Sequence, residues 1–223
     1  MGQQNLNEYF TDLLQKVDLQ IQDFEDNNND PFSLCKQVID YLQEIIGELK
    51  AFIISYSFSS KEEEIYFFKE QKPIIASKII YYNTVYQFEL RFPNGSEETQ
   101  KEFIMAETDR ILAHFQRNIS FYQYYRTKAT YLDHKYFLRG KPDIHILIDN
   151  FYYEADPQFS TSYDYKVAKI LAIELFAIYL TNRLNELERR FQRQQVKNGN
   201  IKKLLRWTGT KRALVELIYA LYT

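Results

Sequence analysis

Apolar residues recur at three- and four-residue steps through most of this chain. Leu6, Phe10, Leu13, Val17, Ile21 and Phe24 mark one face of a first helix. The turn formers Asp26-Asn27-Asn28-Asn29-Asp30-Pro31 end it. Leu34, Val38, Leu42, Ile45, Leu49, Phe52 and Tyr56 then give a second helix with near-heptad spacing, able to fold back on the first as a hairpin. Ser59-Ser60 followed by Lys61-Glu62-Glu63-Glu64 reads as a helix start, with cap candidates and then acids in the first turn. That helix is expected to stop before Pro73. From Ile74 to Phe92 the β-branched and aromatic content suggests strand, but Ile75, Ile79, Tyr82, Tyr86 and Leu90 keep a helical period, which decides for helix.

Pro93-Asn94-Gly95-Ser96 is a break, after which a long helix should run through Ile104, Ile111, Phe115, Ile119 and Tyr122. Arg139-Gly140-Lys141-Pro142 is another break. Ile144, Ile146 and Ile148 alternate and allow a short strand over Asp143 to Asp149. A loop from Pro157 to Ser162 leads into a helix from about Tyr163 to about Gln195, apolar nearly all round in its first half, as expected of a central buried helix. Beyond the turn signal Asn198-Gly199-Asn200 come a short segment, Ile201 to Trp207, and a last helix from Lys211 with Leu214, Leu217, Ile218 and Leu221 on one face. The fold class is therefore mainly α: a helical domain over residues 1–196 and the start of a small C-terminal helix-turn-helix or winged-helix-like module over 197–223.

Composition agrees with long helices. Only six Gly and five Pro occur in 223 residues, which argues against turn-rich all-β classes. The N-terminus has no secretory signal pattern, and the longest apolar run, Val167 to Leu180, holds Lys169 and Glu174 and is too short to span a bilayer. A single cysteine, Cys35, excludes an internal disulfide and fits the core of the second helix. These features describe a cytoplasmic protein with no membrane partner.

Charge changes the picture. Arg189, Arg190, Arg193, Lys197, Lys202, Lys203, Arg206, Lys211 and Arg212 follow one another without an acidic residue, and the remainder of the chain keeps 19 Lys+Arg against 30 Asp+Glu. A concentrated positive field attracts polyanions. Gln192, Gln194, Gln195, Asn198, Asn200, Thr208 and Thr210 add the neutral donors that phosphate binding also uses. Three partners fit: double-stranded DNA, an acidic protein (or the chain's own acidic body), and a membrane surface, the last kept open by Trp207 beside Leu204 and Leu205. Trp207 has the simpler reading of a core residue.

Catalytic patterns are sparse. His114, His134 and His145 have no histidine at i+3 or i+4, so the helical metal-pair pattern does not occur. Asp133, His134, Asp143, His145 and Asp149 would make a carboxylate–histidine site only if the fold converged them. The sequence has no CxxC, P-loop, GxGxxG or GxSxG. The tyrosine-rich runs Tyr122 to Tyr125 and Phe151 to Tyr153 could stack on bases, with core packing the commoner use. The expectation is a non-enzymatic protein without cofactor or metal.

Several segments together resemble one family. They are Phe68-Lys69-Glu70-Gln71-Lys72-Pro73; Ile80-Tyr81-Tyr82 with Glu89 and Pro93; Tyr136-Phe137-Leu138-Arg139-Gly140; Asp149 through Lys166; and Leu205-Arg206-Trp207-Thr208-Gly209-Thr210-Lys211. In order and combination they are similar to the RteC family, regulators encoded on Bacteroides-type conjugative transposons. The resemblance implies a helical body followed by a winged-helix-like DNA-binding module, and a role in switching on excision genes during tetracycline-responsive transfer. It also implies that the chain ends at the opening of that module, as a shortened form without the recognition helix or wing. The nine basic residues are then expected to contact phosphates of a promoter or operator, in a protein able to form a homodimer through residues 6–56 or 163–188. The alternative is a helical interaction module that docks an acidic partner through the same basic stretch.

Overall fold

The computed structural model describes residues 5–140 and 156–197, with the side chains of 194–197 left aside. Among the described residues the chain is helical with no strand. The elements are α1 (Leu6–Asn27), α2 (Pro31–Ser55), α3 (Lys61–Tyr66), a π-turn (Phe67–Gln71), α4 (Lys72–Arg91), α5 (Glu97–Arg117), α6 (Ile119–Arg126), α7 (Asp133–Tyr136) and α8 (Asp164–Lys197). The described residues fall into two units. One combines Met1–Phe92 with Ile111–Phe176, the other Pro93–Arg110 with Ala177–Thr223.

In the first unit α1 and α2 form the expected hairpin, and α2 packs along α4. The Asn5 side chain caps α1 by accepting the Asn7 N–H at 3.0 Å. Asp30 caps α2 by accepting the Ser33 N–H at 2.8 Å, and Pro31 at the first helical position loses no bond there. The hairpin's core is the predicted stripe: Leu6, Phe10, Leu13, Val17 and Ile21 of α1 meet Cys35, Val38, Leu42, Ile45, Leu49 and Ile53 of α2, all buried. Each such large side chain contributes about 1.5–3 kcal/mol when fully buried. The Cys35 thiol is pushed up to about 11, by burial first and then by Glu89 and Asp30, so it stays protonated as a core residue.

α3 starts as the sequence predicts. Ser60 accepts the Glu63 N–H at 3.2 Å, and the Glu63 carboxylate accepts from Ser59 N, Ser59 Oγ and Tyr56 Oη at 2.6–2.7 Å. Burial pushes that carboxyl up, but these donors outweigh it and hold Glu63 below the usual range.

Two boundaries differ from expectation. The helix does not stop before Pro73. It widens into the π-turn, where the Lys72 N–H reaches back to Phe67 O, and continues as α4 with Pro73 in the first turn. Proline lacks the N–H for an ordinary bond and its ring crowds the preceding carbonyl, and a wider turn accommodates both defects. The helix expected to run through Tyr122 is instead two: α5 ends at Arg117, and Asn118 leaves helical geometry and restarts the ladder by accepting from Phe121 and Tyr122.

α8 spans 164–197 close to the predicted limits, but it is not buried all round. Val167, Ala168, Ile170, Ala172 and Phe176 are buried in the first unit and Leu180 and Leu187 in the second, while Leu175 and Ile178 stay exposed on the opposite side. The strand allowed over 143–149, the segments after Asn200 and the winged-helix-like module lie outside the described residues. So does nearly all of the 197–223 domain, whose expected boundary falls at the last described residue.

Candidate nucleic-acid interface and the cluster of shared motifs

Three of the nine predicted phosphate contacts have described side chains. Arg189, Arg190 and Arg193 are all exposed, near the C-terminal end of α8. At roughly 100° per residue, positions 189, 190, 193 and 197 fall within an arc of about 100°, so this helix end turns one face of cations outward. Among the described residues no carboxylate pairs with these three arginines, whereas one turn earlier Arg183 lies 3.8 Å from Glu186. Lys197 is the last helical residue, and Lys202, Lys203, Arg206, Lys211 and Arg212 lie outside the described residues, as does Trp207.

The other sequence candidates separate. His114 packs edge-on to Tyr122, and His134 is exposed on α7. Asp133, its neighbour in sequence, is buried and turned to different partners (below). Asp143, His145, Asp149 and Phe151 to Tyr153 lie outside the described residues. Among the described residues no group of His, Cys, Asp and Glu is arranged to hold a metal ion. Tyr122 and Tyr124 are buried, in keeping with core packing, while Tyr125 is only partly so.

Residue-type reasoning missed a buried polar cluster in which the family-like segments meet. The π-turn and the residue after it present two lysines inward. Lys69 Nζ donates to both carboxylate oxygens of Asp133, at 2.8 and 3.1 Å, and to Ala129 O at 2.9 Å. Tyr124 Oη donates to the same carboxylate at 2.5 Å. Lys72 Nζ donates to Asp164 Oδ2 and to Phe159 O, each at 2.5 Å. Both ammonium groups also lie over aromatic rings, Lys69 over Tyr124 and Phe137, Lys72 over Phe159 and Phe68. Lys69, Lys72, Asp133 and Asp164 are all buried, so each charge is matched in a dry setting by an opposite charge and by further bonds.

A third, shallower pair extends the cluster. Arg139 Nε donates to Glu64 Oε1 at 2.6 Å and a terminal nitrogen to Gln158 O at 3.0 Å, with the guanidinium 4.9 Å from the Phe58 ring. The Tyr163 N–H closes the join on Tyr136 O at 3.2 Å. Arg139, Tyr136 and Phe137 come from Tyr136-Phe137-Leu138-Arg139-Gly140, and Phe159, Tyr163 and Asp164 from the segment ending at Lys166. Lys69 and Lys72 come from Phe68-Lys69-Glu70-Gln71-Lys72-Pro73. Asp164 is the first residue of α8, so the cluster fixes where that helix begins. The signal available in sequence was the presence of lysines inside a mostly apolar helical motif. Their partners lie 64 and 92 residues away.

The model of one protein family, described as RteC protein, matches residues 66–223. That span contains every element from the π-turn onward and leaves out the α1–α2 hairpin. No curated protein and no solved structure matches the chain.

Proposed function

The chain belongs to the RteC family, regulatory proteins of Bacteroides-type conjugative transposons, and on that premise we propose that it is a DNA-binding transcriptional regulator. Its targets in this reading are excision and transfer genes of such an element, within a tetracycline-responsive cascade. The observation that carries the reading is the exposed cationic face of Arg189, Arg190 and Arg193 at the end of α8, in a sequence that continues with six more basic residues and no acid. Arg189, Arg190, Arg193, Lys197, Lys202, Lys203, Arg206, Lys211 and Arg212 contact phosphates of a promoter duplex. Such contacts set position and affinity and leave base reading to other groups. The protein works without cofactor or catalysis, and a homodimer matches it to a two-fold operator.

The test is binding to promoter duplex across a salt series. Each phosphate contact removed lowers the slope of log K against log salt by about 0.9. Changing Lys202, Lys203 and Arg206 together to Gln should reduce that slope by about 2 to 3 and weaken binding at every sequence alike. An unchanged affinity and slope would refute the assignment. Sedimentation with and without the duplex tests the dimer.

A further inference from the structure

A second basic surface lies in the first unit, apart in sequence from the end of α8. Residues 110–141 hold seven Lys or Arg and a single acid, Asp133. That acid is buried and already bonded to Lys69 and Tyr124, so it does not offset the cations outside. Of these cations Arg126, Lys128 and Lys135 are exposed, between and beside aromatic residues. The half-buried Glu174 offsets part of the charge of Arg126.

The aromatic residues form a connected set. Tyr136 stacks on Tyr163 with ring centres 3.7 Å apart, and Phe121 lies 4.8 Å from Tyr163 and 5.9 Å from Tyr136. Tyr124 lies 5.5 Å from Tyr136 and is fixed by its bond to Asp133. Tyr131 rests against Tyr124 at 5.2 Å and 84°, and it is 70% exposed. The angle means that Tyr131 shares no face-to-face stack with Tyr124, so its ring surface is open to solvent. Lys128, at a positive φ of 51°, shapes the turn that holds Tyr131 out.

We propose that this face binds single-stranded nucleic acid, with Tyr131 stacking on a base and Arg126, Lys128 and Lys135 contacting the backbone phosphates. A rigidly backed, exposed ring among cations suits a strand whose base faces are open. In a duplex those faces are covered by neighbouring base pairs, so duplex binding would leave Tyr131 without a role. An acidic polypeptide would use the cations and likewise leave the ring unused. The surface is separate from the α8 end assigned to duplex DNA, and the two can fail independently.

The experiment uses the full chain and a fluorescent 20-nucleotide oligo-dT, read by anisotropy. Tyr131→Ala should weaken binding about ten-fold, and Tyr131→Phe should stay within about two-fold because the stacking ring remains. Arg126, Lys128 and Lys135 changed together to Gln should lower the salt slope by about 2, since each single-strand phosphate contact contributes about 0.7. The K202Q/K203Q/R206Q protein should hold oligo-dT within two-fold even where its duplex binding is lost. Circular dichroism melting checks that each variant is folded. The proposal is overturned if Y131A binds as wild type, or if oligo-dT binding disappears in K202Q/K203Q/R206Q. Equal displacement by poly-glutamate at matched charge overturns it in favour of an acidic protein partner.

Discussion

Replacing Lys72 with Met removes one partner of a buried ion pair while nearly keeping the volume. The side chains of Lys72 and Asp164 are only 11% and 4% exposed, so the pair has little water to fall back on. Without Lys72 the Asp164 carboxylate keeps one donor, the Tyr165 N–H at 2.8 Å, together with its favourable place in the first turn of α8. Phe159 O loses the ammonium donor described above. Breaking a buried pair from one side costs about 3–5 kcal/mol, and the position at a helix N-terminus returns about 0.3–1. The expected loss is about 3 kcal/mol, a large part of the 5–15 kcal/mol that holds a typical domain together. Urea unfolding followed by far-ultraviolet circular dichroism measures it for K72M, D164N and K72M/D164N. The two single losses should exceed the double loss by about 2 kcal/mol or more when summed, because each single change strands the other's buried group. A K72M loss under about 1 kcal/mol, or additive losses, would refute the view that this pair is a matched buried unit.

Three further outcomes follow from single residues. Burial raises the Glu174 carboxyl against the lowering effect of Arg126, so the folded protein holds its proton to higher pH than the unfolded chain, and stability falls as pH rises above the ordinary carboxylate range. Glu174→Gln should therefore raise Tm at pH 7.5, with the gap closing below about pH 4; a gap that does not change with pH would contradict this. Gly140 has a φ of +73° with open space where a Cβ would sit, so Gly140→Ala should cost about 1–2 kcal/mol in urea unfolding through backbone strain alone. Cys35 should react with a thiol reagent at pH 8 only as fast as the protein unfolds, and fast labelling in the native state would be inconsistent with its burial and raised pKa.

The sequence was most informative where burial alone decides structure. The stripe from Leu6 to Ile21 is buried residue for residue, and in α2 only details shift: Cys35 is buried, and Leu34 beside it is half-buried. It was least informative where two effects compete. Pro73 was read as a stop because proline removes a bond, yet the lost bond is absorbed by a wider turn that packing of Phe67 and Phe68 holds in place. The lysine cluster was illegible for another reason. A lysine in a helical pattern reads as a solvated position until its partner is known, and no local rule connects Lys69 to Asp133 or Lys72 to Asp164. The cationic end of α8 was legible because charge needs no partner within the chain to be noticed. The six-residue motif was visible as a family feature, but only the fold assigns it a task.

The π-turn has a consequence for chain length. It holds one residue more than an α-helical turn would, and that surplus sits between Glu64, which holds Arg139, and Lys72, which holds Asp164. Deleting one residue within 67–71 would let the helix run regular from α3 into α4. It would also turn α3 by about 100° against α4, since each residue of a helix advances by that angle. Glu64 and Lys72 could then no longer reach their two partners together. Many single substitutions between Lys61 and Arg91 would leave that phase intact, whereas a change of one residue in length would not. The segment behaves like a ratchet tooth, whose spacing matters more than most of its side chains.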